Sequence, residues 1–199
     1  DFMREATDPK EEIRLQALSE AYPDAVKLAL KGSENPNLLP KGAITVRLHS
    51  VGGWGAVTTG KNLAMTLYDL LGFDIRANPK YGSEKKGQPT TYFLSAAPEA
   101  IRLNCEYTYV DVVMSPDPNV FTHSNPISGL KKGGVFIIQS SLNSADAVWA
   151  TFPIQARRFI IDNEIKVFYV DGFKIARDEA SDVELQFRMQ GNAFQGAFF

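Results

Sequence analysis

Hydrophobic positions along the chain follow two rhythms. Apolar and polar residues alternate at Ile44, Val46 and Leu48, the period-two pattern of a strand with one buried face. This run ends in SVGGWGAVTTGK, where Gly52, Gly53, Gly55 and Gly60 punctuate small residues. From 58 to 71 the rhythm becomes helical, with Leu63, Leu67, Leu70 and Leu71 on one stripe and Gly72 as the stop. Strand, glycine turn and helix in that order open many α/β domains. Further strands are predicted at 73–78 and 91–96, with a polar, glycine-rich loop, PKYGSEKKGQPT, at 79–90.

Denser apolar runs come next. YTYVDVVM at 107–114, VFIIQ at 135–139 and KVFYV at 166–170 suit strands of a parallel sheet buried on both faces. A short helix is predicted at 119–123, a helical stretch at 146–163 interrupted by Pro153, and a helix from 173 to 180. The Phe-rich segment 185–199 receives no element. Its close on AFQGAFF reads as a cut chain or as a surface that packs on a neighbouring domain.

Residues 1–42 have a different texture. Ile13, Leu15, Ala17 and Leu18 predict a short amphipathic helix, and a second starts near Asp24 after Pro23. KGSENPNLLPKG, at 31–42, is rich in turn formers and reads as a linker. The expected fold class is therefore α/β: a three-layer Rossmann-like domain with a mostly parallel sheet over 43–199, preceded by a short helical segment and linker over 1–42.

Composition narrows the function. The 199 residues are 44% hydrophobic and 22% charged, ordinary for a globular protein and enough for a substantial core. A formal net charge of -2 gives no basic footprint for nucleic acid. No apolar run approaches a membrane span. The charged start, DFMREATDPKEE, has no apolar signal region and no initiator Met, so the chain reads as a fragment or processed product. Cys105 is the only cysteine and the histidines are His49 and His123. An intrachain disulfide is impossible, and no Cys-based zinc or iron–sulfur site can be built from this chain. A reducing, cytoplasmic setting is expected.

Two segments carry candidate chemistry. The first is the glycine turn. A helix N-terminus after such a turn points N–H groups and a positive dipole end at a ligand. The turn lacks the Walker A spacing and the third glycine of the dinucleotide fingerprint, and no acid stands in the expected ribose role, although Asp74 lies close. Tight helix–strand packing and phosphate contact both remain open as the reason for its glycines. Trp54 at its tip is expected to be exposed and to mark an interface. The second is the 80–87 loop, where Tyr81, Lys85 and Lys86 offer a phenol and mobile ammonium groups to phosphates; a solvated loop is the alternative. Cys105 is expected to be a small buried hydrophobe. His49 is expected to be structural and hydrogen-bonded, and His123 has no informative context.

Taken together, SVGGWGAVTTGKNLA, YGSEKKGQPTTYFL, YVDVVM and GGVFIIQSS resemble the gamma subunit, or gamma domain, of 2-oxoacid:acceptor oxidoreductases, of which pyruvate:ferredoxin oxidoreductase is the best known. In that family a glycine-rich first turn is followed by a Tyr-Gly-x-Glu or Tyr-x-Ser-Lys-Lys loop ending in glycine. A later strand, proline and Leu-Lys-x-Gly-Gly strand resemble 110–138. GNAFQGAFF is similar to a segment late in such domains, and 1–42 is similar to the connecting piece of fused forms. Two departures, Lys86-Gly87-Gln88 and Trp54, leave the choice of 2-oxoacid open.

The resemblance implies an assembly that oxidatively decarboxylates a 2-oxoacid, pyruvate or a similar one, with thiamine diphosphate and Mg. Electrons pass through iron–sulfur clusters to ferredoxin or flavodoxin, and the acyl group passes to coenzyme A. Those cofactors are expected in alpha, beta and delta-type partner domains, in trans or fused. This domain is expected to hold no catalytic residue and no metal, and to be inactive alone. It is expected to help enclose coenzyme A through Gly52, Gly53, Trp54, Gly55, Lys61, Tyr81, Lys85 and Lys86. Two rival readings are a stand-alone Rossmann-type oxidoreductase that binds NAD(P) and a ligand-free structural interaction domain.

Overall fold

The computed structural model describes residues 9–24, 38–82, 87–180 and 183–199. The chain divides into two compact units, 1–37 and 38–199. The first holds α1 (Pro9–Ala21). There Gln16 donates to the Glu20 carboxylate one turn on, at 3.2 Å. The helix expected beyond Asp24 lies outside the described residues.

In the second unit the order is β1 (Ile44–Val51), α2 (Ala56–Leu71), β2 (Asp74–Tyr81), β3 (Pro89–Ala97), β4 (Val110–Ser115), a 3₁₀ turn (Val120–Thr122) and β5 (Leu130–Gln139). Then follow α3 (Ala145–Thr151), α4 (Ile154–Asp162), β6 (Lys166–Val170), α5 (Gly172–Glu179) and α6 (Val183–Phe198). The strands form one six-stranded sheet in the order β2-β3-β1-β4-β5-β6. β1, β4, β5 and β6 run parallel. β2 and β3 form an antiparallel hairpin docked on the other side of β1. The mostly parallel Rossmann-like expectation holds, with this hairpin as its antiparallel part.

The alternation read in β1 sorts the two faces of the sheet. Val46 and Leu48 point to a core made with Leu63, Ala64 and Leu67 of α2 and Phe194 of α6. On the opposite face Val113, Phe136 and Ile138 pack on Val148 and Phe152, and on Ala156 and Ile160 of α4. Pro153 separates α3 from α4 as expected, with the Ser144 hydroxyl capping α3 through Ala147 N–H. Gly72 ends α2 in a left-handed conformation, φ 66°, its N–H donating to the Tyr68 carbonyl and the Phe73 N–H to that of Leu67.

Thr45, Arg47, His49 and Ser50 of β1 are polar yet buried. Thr45 is fixed by both its N–H and its hydroxyl to Asp111 Oδ2, each at 2.8 Å. The Arg47 guanidinium donates to the carbonyls of Thr108, at 3.1 Å, Pro126, at 2.8 Å, and Ser128. This face of the hairpin half is strapped by the 98–109 segment through polar contacts. Asp74 accepts the Ile101 N–H, Asn78 donates to Asn104, and Lys80 pairs with Glu106 at 2.7 Å. Carbonyls satisfy both terminal nitrogens of Arg47, though not its Nε, where an apolar helix would leave the whole group unpaired.

Four expectations need correction. The 79–90 loop is shorter, because β2 runs through Tyr81 and β3 begins at Pro89. Strand pairing satisfies those backbone groups in place of solvent. β6 is not a buried strand: it is the sheet edge, and Phe168 and Tyr169 are exposed. Cys105 is exposed on the strap rather than buried. Residues 183–198, given no element, form the long helix α6.

Candidate functional site

The chain runs from β1 through α2 to the hairpin on one side, and from β4 to β5 on the other. The carboxyl ends of β1 and β4 therefore flank a topological switch point, where open α/β sheets hold ligands. The glycine turn lies at that place. Trp54 N–H closes it on the Val51 carbonyl at 3.2 Å. Gly53 and Gly55 have φ of 100° and 91°, in the left-handed region that a side chain resists. Gly55 is the N-cap of α2, with no side-chain cap and no acidic residue in the first turn. Among the described residues, no side-chain cap and no first-turn acid offsets the positive end of this 16-residue helix.

Gly60 has a different reason. A Cβ there would stand 2.2 Å from Tyr92 Cδ1, so glycine lets α2 settle onto β3. Gly60 thus bears out the packing reason, while Gly53 and Gly55 are required by the shape of the turn.

The turn and the hairpin connection meet. Gly52 N–H donates to the Gln88 carbonyl at 2.8 Å, and Gly87 N–H donates to the Gly52 carbonyl at 3.4 Å. These bonds extend the β1–β3 ladder past its last pair, Val51 and Pro89. Two segments some thirty residues apart in sequence are one surface. Tyr81, exposed, stands at the end of β2 opposite Thr90. Lys61 is exposed on the second turn of α2. Lys85 and Lys86 lie outside the described residues.

Trp54 is not the free tip that was expected. It is half-buried and stacks edge-to-face on Phe173, with ring centroids 5.6 Å apart. Its carbonyl accepts the Gln190 side-chain amide at 2.7 Å. Helices α5 and α6 therefore brace the turn from behind. Below them Gln139, at the end of β5, donates to Asp171 at 3.1 Å and accepts the Gly172 N–H at 2.9 Å. Asp171 also caps α5 through Lys174 N–H, so that helix end is compensated where α2 is not.

Beside the turn is a buried polar cluster. Ser115 donates to the His49 carbonyl at 2.9 Å, tying β1 to β4. His49 Nδ1 lies 3.4 Å from Thr91 Oγ1. Burial first, then Arg47 and His123, push the His49 imidazole down to about 3, so it is neutral and structural, as expected. His123 pairs with the buried Asp117 at 2.7 Å. Nothing in the sequence flagged these roles of Asp117, His123, Phe173 or Gln190: Asp117 and His123 pair across the 3₁₀ turn, and Phe173 and Gln190 reach Trp54 only through long-range packing. Among the described residues no group of three or more His, Cys, Asp or Glu could hold a metal ion. Asp74, the nearest acid for a ribose role, starts β2 and so lies at the opposite end of the sheet from the turn. There it is held below the usual carboxylate range by the Ile101 N–H, with Arg76 adding to the effect.

Comparison with known proteins gives one consistent answer. The family model described as pyruvate ferredoxin/flavodoxin oxidoreductase matches residues 45–199. The chain is 32% identical over 120 residues to pyruvate synthase subunit PorC of Methanocaldococcus jannaschii, covering 60% of this chain and 66% of that protein. It is 35% identical over 119 residues to the pyruvate/ketoisovalerate oxidoreductases common subunit gamma of Thermococcus litoralis, covering 60% and 64%. The matches thus span a little less than two thirds of each relative. The crystal structure of pyruvate oxidoreductase subunit PORC from Thermotoga maritima has the same fold, with TM-score 0.59 and 22% identity, covering 79% of this chain and 75% of that one. With its glycine turn, hairpin and parallel half-sheet all inside the matched span, this chain belongs to the pyruvate ferredoxin/flavodoxin oxidoreductase family.

Proposed function

We propose that this chain is the gamma-type component of a cytoplasmic 2-oxoacid:ferredoxin oxidoreductase that converts pyruvate, or a similar 2-oxoacid, to acyl-CoA. Its role is assembly and the enclosure of coenzyme A. Thiamine diphosphate, Mg and iron–sulfur chemistry belong to alpha, beta and delta-type partners, and ferredoxin or flavodoxin takes the electrons. The observation that carries this reading is the joining of the glycine turn to the base of the hairpin beside an uncapped helix N-terminus.

Such a surface suits phosphates. Backbone N–H groups at Gly53 and Gly55 and the α2 dipole favour anions without a counter-charge. Lys61 and Tyr81 add donors beside it, and Lys85 and Lys86 of the same connection are assigned to the phosphates on sequence alone. The surface is one wall only, and a partner domain would close the other side.

The test is calorimetry of coenzyme A binding to the assembled enzyme, wild type against Lys85→Ala/Lys86→Ala and Lys61→Ala. The expected outcome is affinity weakened by about tenfold per lost phosphate contact, with assembly intact. Unchanged affinity in all variants would remove the phosphate-contact role and leave a structural interaction domain.

A further inference from the structure

The sheet offers a second feature at its ligand-binding end. The carboxyl ends of β4 and β5 open into a cavity of about 250 Å³ between the 3₁₀ turn and α3. Asn119, Phe121, Ile138, Ser141, Leu142 and Val148 are among its walls. It lies one crevice along from the switch point, because β4 sits between β1 and β5.

The chemistry of the walls limits the occupant. No ionisable side chain lines the cavity, so an ion would lose its hydration there without a counter-charge. Ile138, Leu142 and Val148 give apolar surface, and Phe121 gives an aromatic one. Several polar neighbours are already engaged. Thr122 and Thr151 donate to the carbonyls of Asn119 and Val148, and the Gln139 amide is used by Asp171 and Gly172. Among the described residues the Asn119 amide and the Ser141 hydroxyl have no partner. Both are exposed at the rim. Apolar and aromatic walls with a few unspent donors and acceptors suit a flat, neutral heteroaromatic ring.

Position ties this cavity to the glycine turn. Neighbouring strands are about 4.8 Å apart, so the ends of β1 and β5 are separated by roughly 10 Å. That is comparable to the reach from the pyrophosphate to the base of an adenine nucleotide. We infer that the β4–β5 cavity is a nucleobase subsite, taking the purine of a ligand whose phosphates lie on the glycine turn. The choice of a nucleotide rests on the coenzyme A reading; the neutral, ring-binding character rests on the cavity alone.

Three probes separate the two: adenosine, inorganic pyrophosphate and coenzyme A, each titrated by calorimetry into the assembled enzyme. Ser141→Trp fills the cavity from an exposed position, and Asn119→Ala removes one hydrogen-bonding group without adding bulk. Adenosine is expected to bind the wild type, to bind Ser141→Trp about tenfold more weakly or not at all, and to bind Asn119→Ala with intermediate affinity. Pyrophosphate affinity is expected to stay unchanged in both variants. Absence of adenosine binding, or equal binding to wild type and Ser141→Trp, overturns the nucleobase subsite. If adenosine binds and is blocked as expected but pyrophosphate does not bind, the subsite stands and the phosphate reading of the glycine turn falls.

Discussion

Burial, the Arg47 guanidinium and His123 together press the His49 imidazole down to about 3. In the unfolded chain the same ring titrates near 6.5. Between those two values the unfolded chain holds the extra proton, so stability is full above about pH 6.5 and is lost as pH falls towards 3. The slope from this one group reaches about 1.4 kcal/mol per pH unit. Urea denaturation of wild type and His49→Gln from pH 7 to pH 4 measures it. The wild-type profile should fall more steeply, and parallel profiles would show that His49 is not the source. Asp111 acts in the same sense at lower pH. Burial pushes its carboxyl up, but Lys131 and Thr45 outweigh this and hold it below its usual range. Nothing in the residue pattern warns of such a burden, since alternation marks which β1 residues face one core but not whether the other face is wet. Cys105 is the reverse case: a residue type that is usually buried lies exposed on a loop that is held by its neighbours' polar contacts.

Helix α6 shows how tertiary contact makes an element that local pattern does not announce. Gly191 and Gly196 lower its intrinsic propensity, yet it runs unbroken to Phe198. Phe194, fully buried, seats it on the α2 side of the core. Gln190 then reaches the glycine turn through the Trp54 carbonyl. Gln190→Ala should cost about 1 kcal/mol of stability, the worth of one hydrogen bond. It should also shift Trp54 emission to the red as the Phe173 contact loosens. Fluorescence of the variant in a Trp149→Phe background reads this one indole, and an unmoved spectrum would mean that α6 does not brace the turn. By contrast α2, α3 and α4 were legible, because helical spacing, Gly72 and Pro153 act within a few residues of the positions they govern.

For the molecule as a whole, apolar runs identified β4 and β5 correctly because strands buried on both faces have no polar side to show. The same rule misread β6, whose apolar KVFYV forms an edge with Phe168 and Tyr169 exposed. Strand direction in the hairpin was not legible, since period-two alternation is the same for parallel and antiparallel partners. This architecture sets an order of local stability. Amide hydrogen exchange should be slowest in β1 and β4, the two central strands, and fastest among the strands in β6 and β2 at the two edges. Protection in β6 equal to that in β4 would mean that another strand covers this edge in solution.

The hydrogen bonds between Gly52 and the Gln88–Gly87 pair tie the connection between β2 and β3 to the end of β1. They set a boundary within it: the tip ahead of Gly87 can change while the strands keep their register. A shorter, longer or recharged tip would alter what the glycine turn meets without disturbing the fold.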